Sequence, residues 1–136
     1  MDLKYVVADS IAIQLNGTYY DVHNDYNFIG LMKNDTTKTA VLFFEKKMAS
    51  WVNSEAPKYL LLFFYGLNFF ELSIIDVVLP AKLEEIGFKD PTDFDIDWLI
   101  SNQNEQDNLH IIFRLEGDGF IRIGGEKSEC VIAATL

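Results

Sequence analysis

One cysteine, two histidines and three prolines in 136 residues leave little material for several classes of chemistry. The lone thiol, Cys130, has no partner for an intrachain disulfide, and its place in the apolar run Cys-Val-Ile-Ala-Ala predicts a buried, inert group in a reducing compartment such as the cytoplasm. His23 and His110 stand far apart, in no spacing that suits zinc or a catalytic triad, and a Cys130–His110 nucleophile pair lacks the electropositive setting that activates a thiol. No phosphate loop or metal-ligand cluster occurs either. These absences predict a protein that binds rather than catalyses and that needs neither cofactor nor metal.

Positive charge is scarce too. Eleven Lys and Arg face 21 Asp and Glu, a net charge of -10, which repels nucleic acid and anionic lipid and favours a basic protein partner. The first residues offer only a three-residue apolar patch before Asp9, short of a signal peptide. Residues 59–79 have about the length of a bilayer span, yet Glu71 and Asp76 lie inside, and an acid near a helix centre costs roughly 2.5–3.5 kcal/mol on insertion scales.

What is abundant is aromatic, strand-forming sequence. Residues 59–72 read Tyr-Leu-Leu-Leu-Phe-Phe-Tyr-Gly-Leu-Asn-Phe-Phe-Glu-Leu. Gly66 and Asn68 divide the run into two strands, or one strand bent at a bulge, in a dry core. Asn16-Gly17 predicts a tight hairpin over residues 11–21, and residues 26–32 and 39–45 a second one around the polar segment 33–38. In the connector 46–58, Pro57 sets the start of the central strand and Trp51 is expected to cap the edge of the core. Pro80, with Leu83 and Ile86 three apart and Gly87 as a stop, predicts the one helix, over residues 80–87. Phe94, Ile96, Trp98 and Ile100 alternate with Asp93, Asp95 and Asp97, so residues 90–106 read better as a strand than as a helix or loop. Residues 101–108 form a polar loop, followed by a hairpin over 110–123 and a last strand over 129–134. One domain of this length buries roughly two-thirds of its unfolded surface. The pattern defines a mainly β fold, an antiparallel β-sandwich or open barrel with one short helix, with α+β as the alternative.

Charge is unevenly placed. Residues 1–70 carry seven acids against six bases, whereas the remainder carries fourteen acids against five. Glu84, Glu85, Asp90, Asp93, Asp95, Asp97, Glu105 and Asp107 face only Lys89 across their span. Such focused charge accelerates encounter with a basic partner by about 10 to 1000-fold at low salt. Glu84, Glu85, Asp93, Asp95, Asp97, Glu105 and Asp107, with Trp98 or Phe94 as aromatic anchor, are the candidate partner-binding residues. A solvated rim that merely keeps the chain soluble is the plainer reading. Calcium at Asp93-x-Asp95-x-Asp97 fails, because an EF-hand loop would need Gly where Trp98 stands and Glu where Asn104 stands.

The hairpin 110–123 allows a register argument. Ile111, Phe113 and Leu115 share a face with Ile121 and Ile123 if both strands bury their apolar sides, which requires an odd number of loop residues. Gly117-Asp118-Gly119, with Gly119 left-handed, satisfies this and sets Arg114 opposite Arg122. Two facing guanidinium groups predict an acidic neighbour, either Glu116 or a carboxylate on an adjoining strand, and thus a salt-bridge network or a small-anion site.

The runs Phe28-Ile-Gly-Leu, Ala40-Val-Leu-Phe-Phe-Glu, Trp51-Val, Pro57 and the 60–72 core resemble a group of small bacterial proteins, and length and acidity make the chain similar to the immunity proteins that protect bacteria from contact-delivered or polymorphic toxins. The resemblance implies a cytoplasmic toxin inhibitor that covers the active surface of a basic protein, such as a nuclease, and assigns no functional residue. A small-ligand-binding β-barrel is the other reading, prompted by many aromatics on a sheet.

Overall fold

The computed structural model describes residues 1–103 and 108–136. Its elements are β1 (Asp2–Leu3), β2 (Val6–Ala8), β3 (Ala12–Leu15), β4 (Thr18–Asp21), α1 (Val22–Asp25), β5 (Tyr26–Asn34), β6 (Thr39–Lys46), β7 (Tyr59–Tyr65), β8 (Phe69–Ser73), β9 (Leu83–Lys89), β10 (His110–Leu115), β11 (Gly119–Gly124) and β12 (Lys127–Ala133). They form three open, mostly antiparallel sheets: β1-β12-β7-β6-β5, β8-β11-β10-β9 and β2-β3-β4. The fold is mainly β with one short helix, and among the described residues no sheet closes into a barrel. No helix of the described residues is long and apolar enough to cross a membrane.

The larger two sheets pack face to face. Alternation on β6 and β7 sends Leu42, Phe44, Leu60, Leu62 and Phe64 inward, where Phe44 and Phe64 lie 6.3 and 6.2 Å from the Phe113 ring of β10. The same alternation sends Leu61, Phe63 and Tyr65 to the outer face, half-buried. The aromatic run is thus two strands in two sheets, with Gly66 (φ +63°) at the corner, and only every other residue of β7 is dry. Asn16 and Gly17, both at positive φ, close the β3–β4 turn, and β5 pairs with β6 as the second hairpin.

Four expectations need correction. Residues 80–87 are not a helix: β9 is a strand, and its pairing jumps from Arg114↔Glu85 to Leu115↔Leu83, so Glu84 is an extra residue. That bulge lets Leu83 and Ile86 both face the core three residues apart, the spacing otherwise produced by a helical turn. The helix is α1 instead, with the Asp21 carboxylate accepting from the Asn24 N–H. Trp51 does not cap the core; it is exposed, and Val52 beside it is buried.

Of the strand expected over residues 90–106, residues 90–103 are not a strand, beyond a single bridge between Ile100 and Phe88 at the edge of β9, and residues 104–106 lie outside the described residues. The carboxylates of Asp90, Asp93 and Asp95 each accept from the backbone N–H two residues on, at Thr92, Asp95 and Asp97. The alternation of aspartates is therefore the period of successive Asx-turns, not of a ladder. In the last hairpin, Ile111↔Ile123 and Phe113↔Ile121 keep the expected face, but the loop is Glu116-Gly117-Asp118, one residue earlier than expected. Gly117 and Asp118 hold the positive φ angles, while Gly119 is needed for space, since a Cβ there would stand 2.2 Å from Val77 Cγ2. The shift pairs Arg114 with Phe120 and Arg122 with Ile112, so the two arginines are not opposite each other.

Candidate functional site

The outer face of the four-stranded sheet is roofed by residues 90–100. The chain leaves β9 at Lys89, crosses the face, and returns to the β9 edge where the Phe88 and Ile100 N–H groups exchange 2.8 Å bonds with each other's carbonyls. Ile112 points outward on β10 yet is fully buried, and a Cβ on Gly87 would meet Leu99 Cβ at 2.4 Å, so apolar contact fastens one part of this roof.

Two buried cations fasten the other part. Arg122, with no exposed surface, donates from Nη1 to the Asp93 carbonyl (2.6 Å), from Nη2 to the Asp90 (2.9 Å) and Pro91 (3.4 Å) carbonyls, and from Nε to His110 Nδ1 (2.9 Å). Its guanidinium also lies 4.8 Å from the Phe94 ring centroid and 5.5 Å from that of Phe69. Lys89, likewise fully buried, places Nζ 3.3 Å from Asp93 Oδ2 and 3.3 Å from the centre of the Trp98 ring. Each cation escapes the cost of desolvation through fixed oxygen atoms and π faces.

The bond to Arg122 requires a lone pair on His110 Nδ1, which places the ring proton on Nε2 and keeps the imidazole neutral. Burial, reinforced by the neighbouring Arg122 charge, lowers the His110 pKa, and the ring stacks 4.6 Å from Phe69. Hydrogen bonds from the Thr92 hydroxyl and N–H lower the Asp90 pKa, and the Asp95 N–H, followed by Lys89, lowers that of Asp93. Burial pushes the Cys130 thiol up to about 12, far from any thiolate chemistry at neutral pH.

The predicted partner-binding residues divide. Asp93 is held by Lys89, and Glu85 lies 3.5 Å from Arg114, its register partner on the adjoining strand. Asp95, Asp97 and Glu84 are exposed, and among the described residues none of them forms an ion pair. Phe94 and Trp98 are 63% and 54% exposed, so each ring has one face on a buried cation and the rest toward solvent. Glu105 and Asp107 lie outside the described residues. Glu116 sits exposed in the hairpin loop, its N–H donating to the Lys82 carbonyl, and among the described residues it pairs with neither arginine. A small-anion site at Arg122 is overturned, because its donors already point to carbonyls and to His110.

Sequence reasoning missed Lys89, His110 and Phe69 as parts of this site. Lys89 did carry a signal, as the only base within the acidic stretch. Among the described residues no group of three His, Cys, Asp or Glu could hold a metal ion. In comparisons with known proteins, no family model, no curated protein and no solved structure matches the chain.

Proposed function

We propose that the protein is a non-catalytic acidic binding protein that recognises a basic protein surface through the roof over residues 90–100. Within that class we read it as an immunity-type inhibitor, which neutralises a basic toxin, such as a nuclease, by covering its active surface. The observation that supports this most is the direction of charge: Lys89 and Arg122 turn inward onto carbonyls, Asp93 and aromatic faces, leaving Asp95 and Asp97 exposed in the same segment as Phe94 and Trp98, with Glu84 exposed near Asp97. A rigid aromatic anchor ringed by charge is the arrangement that concentrates binding energy at an interface, while the carboxylates steer the encounter. Because the roof is already ordered, little entropy is lost on association. Phe28, Phe44, Phe64 and Phe113 pack together in the sandwich interior and no sheet closes into a barrel among the described residues, which supports this reading over that of a small-ligand carrier.

The test is to read the gene immediately upstream and, where it encodes a toxin with a basic C-terminal domain, to titrate that domain at rising salt with wild type and D95K/D97K. Binding that weakens steeply with salt and by about 100-fold or more on reversal is expected. Salt-independent binding unaffected by reversal, or a neighbouring metabolic operon in place of a toxin gene, would overturn the reading.

A further inference from the structure

Among the described residues, no segment roofs the outer face of the five-stranded sheet. Across β12, β7, β6 and β5 its outward rows read Val131, Leu61, Phe43, Gly30 and then Glu129, Phe63, Val41, Met32. Met32 is 67% exposed and Val131 41%, and a Cβ built on Gly30 meets nothing within 4 Å, so open space lies over the middle of the sheet edge. Phe63 stacks on Tyr65, whose hydroxyl donates to Glu129, and Lys127 and Lys58 lie over the rings of Tyr65 and Tyr59, which order the rim of the plate.

We infer that this face is the contact surface of a homodimer, packed sheet on sheet. Size is the first argument. Four strands about 4.8 Å apart and seven residues long at about 3.3 Å per residue make a plate of roughly 20 by 23 Å in projection. The accessible area of a plate studded with side chains exceeds its projection, which brings it near the lower end of the about 600–1,000 Å² per partner that stable interfaces bury. Charge is the second argument. Lys58 and Lys127 balance Glu45 and Glu129 around the plate, although the chain as a whole carries -10. Two copies repel one another over an acidic approach, and a basic partner is drawn to the roof on the opposite side of the sandwich. The occupant whose chemistry matches a neutral apolar plate is a second copy of that plate, in the aligned packing that twisted sheets adopt.

Sedimentation velocity of the full chain over a wide concentration range tests this. Wild type is expected to dimerise, and M32K/V131K to raise the dimer dissociation constant by about 100-fold or more, because it buries unpaired ammonium groups. That variant also lowers the net negative charge, so loss of the dimer cannot come from general repulsion. D95K/D97K, on the other outer face, is expected to dimerise at least as well as wild type. As a second measurement that needs no variant, amide shifts that change on dilution of wild type are expected at Phe43, Leu61 and Val131. A wild type that sediments as a monomer throughout would overturn the proposal and leave the face to a different protein or an amphiphile; so would equal association of wild type and M32K/V131K, or dilution shifts that map to the roof.

Discussion

On one side of the sandwich Ile112 points outward and is fully buried beneath the chain's own 90–100 segment; on the other, Leu61, Phe43 and Val131 point outward and, among the described residues, a Cβ built on Gly30 meets nothing within 4 Å. Both faces come from the same strand alternation, in which one side chain in two must leave the core. The difference teaches that cover, not composition, decides what an apolar strand residue does. Where the chain provides a roof, cations can be buried in it and acids displayed on top. Where it provides none, the apolar residues remain available to another molecule.

Arg122→Ala should break this contrast most severely, by unroofing the covered face. It leaves the Asp90 and Asp93 carbonyls and His110 Nδ1 without their donor in a buried setting, a loss of about 3–5 kcal/mol in urea unfolding. Gly87→Ala attacks the apolar half of the same attachment. Its new Cβ meets Leu99, so a loss of about 1–3 kcal/mol is expected, together with greater exposure of Trp98 in quenching experiments.

Mild acid should act on the roof through His110. Its folded pKa lies below the ordinary 6.5, so the unfolded chain takes up the proton first. The stability that neutral His110 contributes is complete above about pH 6.5 and declines as pH falls from there through the folded pKa. His110→Gln, whose amide oxygen can still accept from Arg122, should flatten that part of the stability-against-pH curve. Asp90 and Asp93, whose folded pKa values are lowered, add a second loss as pH falls below the ordinary carboxylate range. The smallest effect belongs to the open face: M32K/V131K should change the unfolding free energy of the dilute monomer by no more than about 0.5 kcal/mol, since both side chains are exposed.

Much of the fold was legible because turn chemistry and alternation are local. Asn16-Gly17, the break at Gly66-Asn68 and the parity of Ile111, Phe113, Ile121 and Ile123 each located strands and faces. The misreadings share a cause, in that two structures can produce one spacing. A bulge at Glu84 places Leu83 and Ile86 as a helix would, and Asx-turns repeat aspartate every second residue as a strand would. The candidate site was legible only as a concentration of carboxylates. Which of them stay outward depends on Arg122, 32 residues from Asp90 in sequence, and on Lys89, and that long-range pairing leaves no local pattern.

Amide hydrogen exchange at Thr92, Asp95, Asp97 and Ile100, in wild type and in Arg122→Met, addresses the roof itself. An acidic segment held in place by buried cations predicts protected amides in wild type and loss of that protection in the variant, with the sheets still protected in both. Exchange in wild type at the rate of an unstructured peptide, or protection unchanged when the guanidinium is removed, would contradict it.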